Sequence, residues 1–119
     1  ILSVLVDDRE GAARIYEKGL KYYPKDWSLA YRAAYHQMYE MRNFERAADL
    51  LFQAGQNGAP IWVHNLAAKL YQRAGQLIFG RTVVVDLIER AKDNPRLLKQ
   101  AQKRFKLIDE ALLKSKKEK

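Results

Sequence analysis

The strongest constraint in this sequence is a pattern of small and large apolar residues that recurs about every 34 residues. In one part of the chain the pattern returns after 35 residues, and in another part after 33 residues. The first set pairs Ala12, Tyr16 and Gly19 with Ala47, Leu51 and Ala54, and the second pairs Ala34, Met38 and Phe44 with Ala67, Tyr71 and Leu77. A period of this length with two helices in each period predicts an array of helical hairpins.

Apolar residues at helical spacing predict helices along nearly the whole chain. The predicted helices span 9–22, 26–41, 43–56, 60–74, 76–92 and 95–115, and a short helical stub precedes them over 1–6. The residues at the breaks agree, because Asp26, Asn43 and Asn94 are good N-caps, and Gly58 and Gly75 are typical of the residue after a helix. The sequence therefore predicts an all-α fold.

The run Thr82 to Val85 is β-branched and favours a strand by intrinsic propensity. We nevertheless predict a helix there, because Leu77, Val84 and Ile88 follow a helical stripe and no other segment offers a partner strand.

The small and aromatic residues of the two-helix units resemble the signature of tetratricopeptide repeat (TPR) proteins. The matching residues are Ala12, Tyr16, Gly19, Pro24, Phe44, Ala47, Leu51, Ala54, Ala67, Ala68, Tyr71, Gly75 and Leu77. The resemblance covers roughly residues 9–95, and it departs from the family at Tyr35, where a small residue is usual, and at Gly80, where alanine is usual. It implies a right-handed superhelical array of antiparallel helical hairpins that ends in a C-terminal capping helix.

The resemblance also implies a division of this single TPR-like domain. Residues 1–25 form a partial repeat, 26–59 and 60–94 form repeats, and 95–119 form a basic capping helix and tail. We interpret the chain as an excerpt of a longer protein, because the stub over 1–6 would be the end of a helix whose own start is missing.

Positive charge is concentrated at the end of the chain. The whole chain has 22 Lys and Arg against 14 Asp and Glu, a formal net charge of +8. Residues 1–95 contain 13 basic and 11 acidic side chains, whereas residues 96–119 contain nine and three. This balance argues against nucleic acid as the main partner.

The chain has no cysteine, which excludes disulfides and Cys-based metal sites, and no apolar stretch approaches the roughly 20 residues of a membrane span. Localisation stays open.

No catalytic motif is recognisable in the sequence. It contains no His-Glu-x-x-His, no glycine-rich phosphate loop and no Gly-x-Ser-x-Gly, and His36 and His64 fall in different repeats. We interpret Asp7 and Asp8 as helix-capping carboxylates and His64 as a partly buried polar residue. We therefore expect no enzymatic activity, no metal site and no cofactor.

In TPR proteins the first helix of each repeat lines a concave groove that holds peptide segments. The corresponding helix faces of this chain supply eight candidate groove residues, namely Arg32, His36, Tyr39, Trp62, Asn65, Lys69, Gln72 and Arg73. The basic residues outnumber Glu40, and the amide of Asn65 suits a peptide backbone. The resemblance therefore implies a non-catalytic scaffold or adaptor that binds a protein partner through an extended segment, with an acidic one favoured.

Several alternatives stay open. The two helix faces could be ordinary solvated surfaces, with Trp62 and Tyr39 packed against neighbouring helices. The basic C-terminal helix could bind RNA, since the 35-residue spacing also resembles pentatricopeptide repeats. The array could form a homo-oligomer through its N-terminal end. The aromatic residues Tyr16, Tyr22, Tyr23, Trp27, Tyr31 and Tyr35 are expected to lie mostly in the core between helices.

Overall fold

The computed structural model describes residues 8–117 of the chain, and it shows six helices and no strand within that range. The helices are α1 (Arg9–Tyr22), α2 (Trp27–Tyr39), α3 (Phe44–Gln56), α4 (Ile61–Arg73), α5 (Leu77–Arg90) and α6 (Pro95–Lys117). The all-α prediction is confirmed, and each predicted helix agrees with the observed one to within two residues at either end. The stub predicted over 1–6 and the carboxylate of Asp7 lie outside the described residues.

The helix ends are fixed by the side chains that the sequence analysis singled out. Asp8, Asp26 and Asn43 each accept a hydrogen bond of 3.1 Å from the backbone N–H three residues later. Two glycines follow helices with φ in the left-handed region, +94° at Gly58 and +77° at Gly75. Only glycine adopts this conformation without steric strain, so these two turns depend on it.

The β-branched run lies in the middle of α5, as predicted. Val83 and Val84 are buried, and the hydroxyl of Thr82 donates to the carbonyl oxygen of Ile78 at 3.1 Å, as it does only in a helical turn. Packing of the helical stripe therefore outweighs the strand propensity of these residues.

The helices form two layers. Each helix packs against the next one in the chain. The odd-numbered helices also contact one another, through Glu17 with Arg46 and Gly55 with Arg90. The even-numbered helices do the same, through Tyr31 with Trp62 and Gln72 with Arg104. The shortest dimension of the molecule is 22 Å, which equals two layers of helices about 10 Å thick. This packing of consecutive helices is compatible with a helical repeat.

Alanines occupy the places where the helices cross. The six that are fully buried in α2, α3 and α4 are Ala34, Ala47, Ala48, Ala54, Ala67 and Ala68. Such small side chains let two helix backbones approach closely, and larger residues such as Leu50, Leu51 and Val63 fill the space beside them. The sequence spacing of these alanines therefore has a direct packing role.

The expectation that the six aromatic residues lie mostly in the core is wrong for half of them. Tyr22, Tyr23 and Tyr35 are exposed by 71, 66 and 52%. Tyr35 stands where the resemblance predicts a small residue, and the crossing beside it is already filled by Ala33 and Ala34. A ring cannot enter a crossing built on alanines, so Tyr35 lies on the surface instead.

Candidate functional site

Helices α2 and α4 run in the same direction and share one exposed surface. Their first turns meet where the ring of Tyr31 contacts the ring of Trp62. Near the other end of α4, the guanidinium of Arg73 lies over the ring of Phe44, which is the first residue of α3. The contact between Tyr31 and Trp62 places side chains of α2 beside those of α4 on one surface. We call this surface the α2/α4 face.

Aromatic rings form a continuous row along α2 that ends on α4. The ring centroids lie 4.4 Å apart for Tyr39 and Tyr35, 6.4 Å for Tyr35 and Tyr31, and 5.4 Å for Tyr31 and Trp62. Tyr35, Tyr39 and Trp62 are each more than half exposed. A continuous exposed patch of large aromatic side chains is unusual on a monomer and typically marks an interaction surface.

The charge of the α2/α4 face is positive. Neither α2 nor α4 contains an Asp or Glu, whereas Arg32, Lys69 and Arg73 are all exposed. Within residues 8–117 none of these three cations forms an ion pair with a carboxylate. Unpaired cations on a surface of this kind attract an anionic ligand.

Arg42 belongs to the candidate site, although the sequence analysis did not identify it. Its guanidinium lies 5.3 Å from the centre of the Phe44 ring, and that of Arg73 lies 4.6 Å from the same centre. Arg42 has φ of +55° and is the only described non-glycine residue with positive φ. This conformation is costly for arginine. Arg42 lies three residues after the end of α2, so no helix-end pattern in the sequence marks its conformation.

Two of the predicted groove residues are held by other parts of the chain. The ring of His36 packs against Tyr16, and its Nε2 lies 2.9 Å from the carbonyl oxygen of Arg9, so His36 faces α1 and not α4. Gln72 accepts a hydrogen bond of 2.6 Å from Arg104 of α6, so its carbonyl oxygen is already used. Both residues connect helices, and we remove them from the set of direct ligand contacts.

The remaining predicted residues lie on the exposed surface. Arg32, Tyr39, Trp62, Lys69 and Arg73 belong to the α2/α4 face itself. Asn65 lies at its border, where a pocket of about 320 Å³ opens between α4 and the start of α6. The pocket is lined by Ile61, Trp62, Asn65, Asn94, Arg96, Leu97 and Gln100. It adds amide groups and one further guanidinium beside Trp62.

A larger depression of about 690 Å³ lies along α1, away from this face. All of its lining residues, from Ala13 to Tyr22, belong to that one helix. A ligand there would be contacted from one side only, so the depression offers little to fix its orientation.

His64 is the most deeply placed polar residue, and its surroundings are structural. Its side chain is completely buried, and its Nε2 lies 2.9 Å from Oδ2 of Asp86. The same carboxylate oxygen lies 3.0 Å from Nε of Arg90, which also donates to the carbonyl oxygen of Gly55. Burial and the positive charge of Arg90 lower the pKa of His64, and Asp86 opposes them. The sequence predicted a partly buried polar residue here, and the structure buries the side chain completely.

Among residues 8–117 no group of three or more His, Asp or Glu side chains is placed to hold a metal ion. None of the described helices is long and apolar enough to cross a membrane.

Comparison with protein-family models, with curated proteins and with solved structures gives no match to this chain. The function proposed below is therefore argued from the geometry of the α2/α4 face.

Proposed function

We propose that this protein is a non-catalytic, TPR-like helical-repeat scaffold, with its hairpins stacked in a right-handed superhelix. It binds an extended acidic segment of a protein partner on the α2/α4 face. The observation that carries the proposal is the combination of exposed aromatic rings and unpaired cations on two helices that contain no carboxylate.

The exposed groups are suited to binding rather than to chemistry. Arg32, Lys69 and Arg73 are donors only, and they match carboxylates of a ligand. The rings of Tyr35, Tyr39 and Trp62 offer a large contact area that orders at little conformational cost. Helices α2 and α4 contain no carboxylate, and their two histidines, His36 and His64, lie against other parts of the chain. Recognition without turnover is the function that these residues support.

The proposal is tested by selecting peptides from a random displayed library on the purified protein. The expected result is enrichment of segments rich in Asp and Glu. Affinities of the selected peptides are then measured by fluorescence polarisation for the wild type and for the double variant Arg32→Glu, Lys69→Glu. We expect the double variant to lose about tenfold or more in affinity, because two attractive charges become repulsive.

The matched control is the double variant Lys18→Glu, Lys21→Glu, which makes the same charge change on exposed residues of α1. It should bind the selected peptides nearly as well as the wild type does. We prefer Arg32 and Lys69 to Arg73 because the contact of Arg73 with Phe44 also contributes to stability. Selected peptides without acidic residues, or equal losses in both double variants, would contradict the proposal.

RNA binding by α6 is a second candidate function, and one observation favours it. The lysines Lys99, Lys103, Lys106, Lys114 and Lys116 are all exposed. Removing α6 would not be a clean test, because Ala101 and Ile108 of this helix are completely buried. The cleaner variant replaces Lys99, Lys103 and Lys106 with Glu. If α6 binds RNA, this variant loses affinity for a single-stranded oligonucleotide, and the affinity of the wild type falls steeply with salt.

A further inference from the structure

The donors and acceptors of the α2/α4 face specify the ligand more narrowly than charge alone does. Within the described chain, neither the indole N–H of Trp62 nor the hydroxyls of Tyr31, Tyr35 and Tyr39 donate a hydrogen bond to another protein group. The buried Tyr71 differs, because its hydroxyl donates to Asp49 at 2.5 Å. The row of rings therefore presents free donors to a ligand, and the neighbouring Arg32 and Lys69 add donors only.

We propose that the aromatic row of Tyr31, Tyr35, Tyr39 and Trp62 binds a proline-rich, acidic segment of a partner protein in the polyproline II conformation. This inference rests on the proposed function and names the chemistry of its ligand. A proline has no N–H to satisfy, and its preceding carbonyl is a pure acceptor. A proline-rich segment therefore brings fewer N–H groups than an ordinary extended peptide does, and it places mainly acceptors against a surface on which Trp62, Arg32 and Lys69 can only donate.

The shape of the row fits such a segment. Successive tyrosines on α2 are one helical turn apart, so that Tyr31 and Tyr39 are separated by about 12 Å along the helix. A polyproline II segment rises about 3.1 Å per residue, and four or so residues cover this distance. The planes of neighbouring rings are inclined by 45 to 48° along α2 and by 85° between Tyr31 and Trp62. Inclined rings present exposed faces in different directions, against which successive pyrrolidine rings can pack.

Two cations lie near the end of α2 in the chain and on α4. Arg42 comes three residues after Tyr39, and its guanidinium lies over the same Phe44 ring as that of Arg73. The ligand is therefore expected to carry its acidic residues beside its prolines. The rigid conformation of such a segment also reduces the entropy lost on binding.

Single-stranded nucleic acid also combines rings with negative charge, but it fits this row less well. Neighbouring rings are only 4.4 to 6.4 Å apart and contact one another, which leaves no space for a base between them. Helices α2 and α4 together contain one lysine, Lys69, whereas α6 has five exposed lysines. Binding of an oligonucleotide is therefore one of the results that the following experiment distinguishes.

The experiment measures binding of three labelled peptides by fluorescence polarisation, each with three copies of a triplet. The triplets are Pro-Pro-Glu, Ala-Ala-Glu and Pro-Pro-Lys, and a single-stranded oligonucleotide of about the same length is the fourth probe. The proteins are the wild type, the variant Tyr35→Ala, Tyr39→Ala, and the control Tyr22→Ala, Tyr23→Ala, whose rings are also exposed but lie at the end of α1. Circular dichroism checks that all three are folded.

We expect the Pro-Pro-Glu peptide to bind the wild type and the control at least about tenfold more tightly than the other two peptides, and to lose this advantage in Tyr35→Ala, Tyr39→Ala. Equal binding of the Pro-Pro-Glu and Ala-Ala-Glu peptides would overturn the proline inference and leave the proposed function standing. No binding of either acidic peptide would contradict the proposed function as well. Tighter binding of the oligonucleotide with the same dependence on Tyr35 and Tyr39 would replace the peptide by nucleic acid.

Discussion

The buried cluster around His64 and the exposed row around Tyr35 both place rings beside charged groups, and they do so to opposite effect. Around His64, the carboxylate of Asp86 and the guanidinium of Arg90 are engaged by other parts of the chain. On the α2/α4 face, Arg32, Lys69 and the tyrosine hydroxyls have no ion-pair or hydrogen-bond partner among residues 8–117. Tyr31 and His64 are 33 residues apart, which is one period of the sequence pattern, yet Tyr31 is only half-buried and joins the exposed row whereas His64 is completely buried.

The comparison predicts that the largest effect on stability comes from Gly55. A Cβ added there would clash with Nδ1 of His64, which is completely buried and has no room to move. We expect Gly55→Ala to lower the free energy of unfolding by about 2 kcal/mol, measured by urea denaturation. Gly80→Ala is the matched control, because its Cβ would meet Ile108 and Tyr71 at an ordinary 3.5 Å. It should be neutral or stabilising by about 0.5–1 kcal/mol. Equal stability of the two variants would show that the packing around His64 is loose.

The second prediction concerns pH. The pKa of His64 is 6.5 in the unfolded chain and is lowered in the folded protein, chiefly by burial and then by Arg90. As the pH falls below 6.5, the unfolded state therefore takes up a proton that the folded state excludes. The free energy of unfolding should decrease with acid, by at most about 1.4 kcal/mol per pH unit from this group.

The measurement is urea denaturation at pH 7.5 and at several lower values. The variant His64→Gln removes the titrating group and should flatten the acid dependence, even though it also lowers stability at neutral pH. A wild type whose stability does not change between pH 7.5 and pH 5 would contradict the assignment.

The third prediction separates two cations on the α2/α4 face. Arg73→Glu removes the contact with the Phe44 ring and should lower the free energy of unfolding by about 0.5–1 kcal/mol. Lys69 is exposed and has no such contact, so Lys69→Glu should change stability by less than about 0.5 kcal/mol. Thermal denaturation compares the two, and a larger loss for Lys69→Glu would show that the face is also structural.

The smallest effect on stability is expected at Arg42, where stability and peptide affinity should change in opposite directions. Its positive φ is costly for arginine, so Arg42→Gly should raise the free energy of unfolding by up to about 1 kcal/mol. The same change removes a guanidinium beside Phe44 and should weaken binding of acidic peptides severalfold. Higher stability together with unchanged affinity would remove Arg42 from the site.

The sequence predicted the local structure well and the site only in part. The caps at Asp26 and Asn43 depend on a side chain and the backbone three residues away, and a local pattern of this kind is visible in sequence. His36 was wrongly grouped with the α2/α4 face, because its place on the helix does not tell whether α1 or α4 covers it. Arg42 was missed because its role depends on the Phe44 ring, which it shares with Arg73 of another hairpin.

The sequence by itself determined the six helices found over residues 8–117 and their lengths, because spacing, caps and glycines act within a few residues of one another. It also determined which helix stripes are made of alanine and so approach closely. Tertiary structure alone decided which side chains lie on the surface and which are buried. Tyr35 lies on the surface because the crossing beside it is full, and His64 is buried because Gly55 leaves space for its ring. Those outcomes depend on contacts between helices, which are set by packing in three dimensions and not by neighbours in the chain.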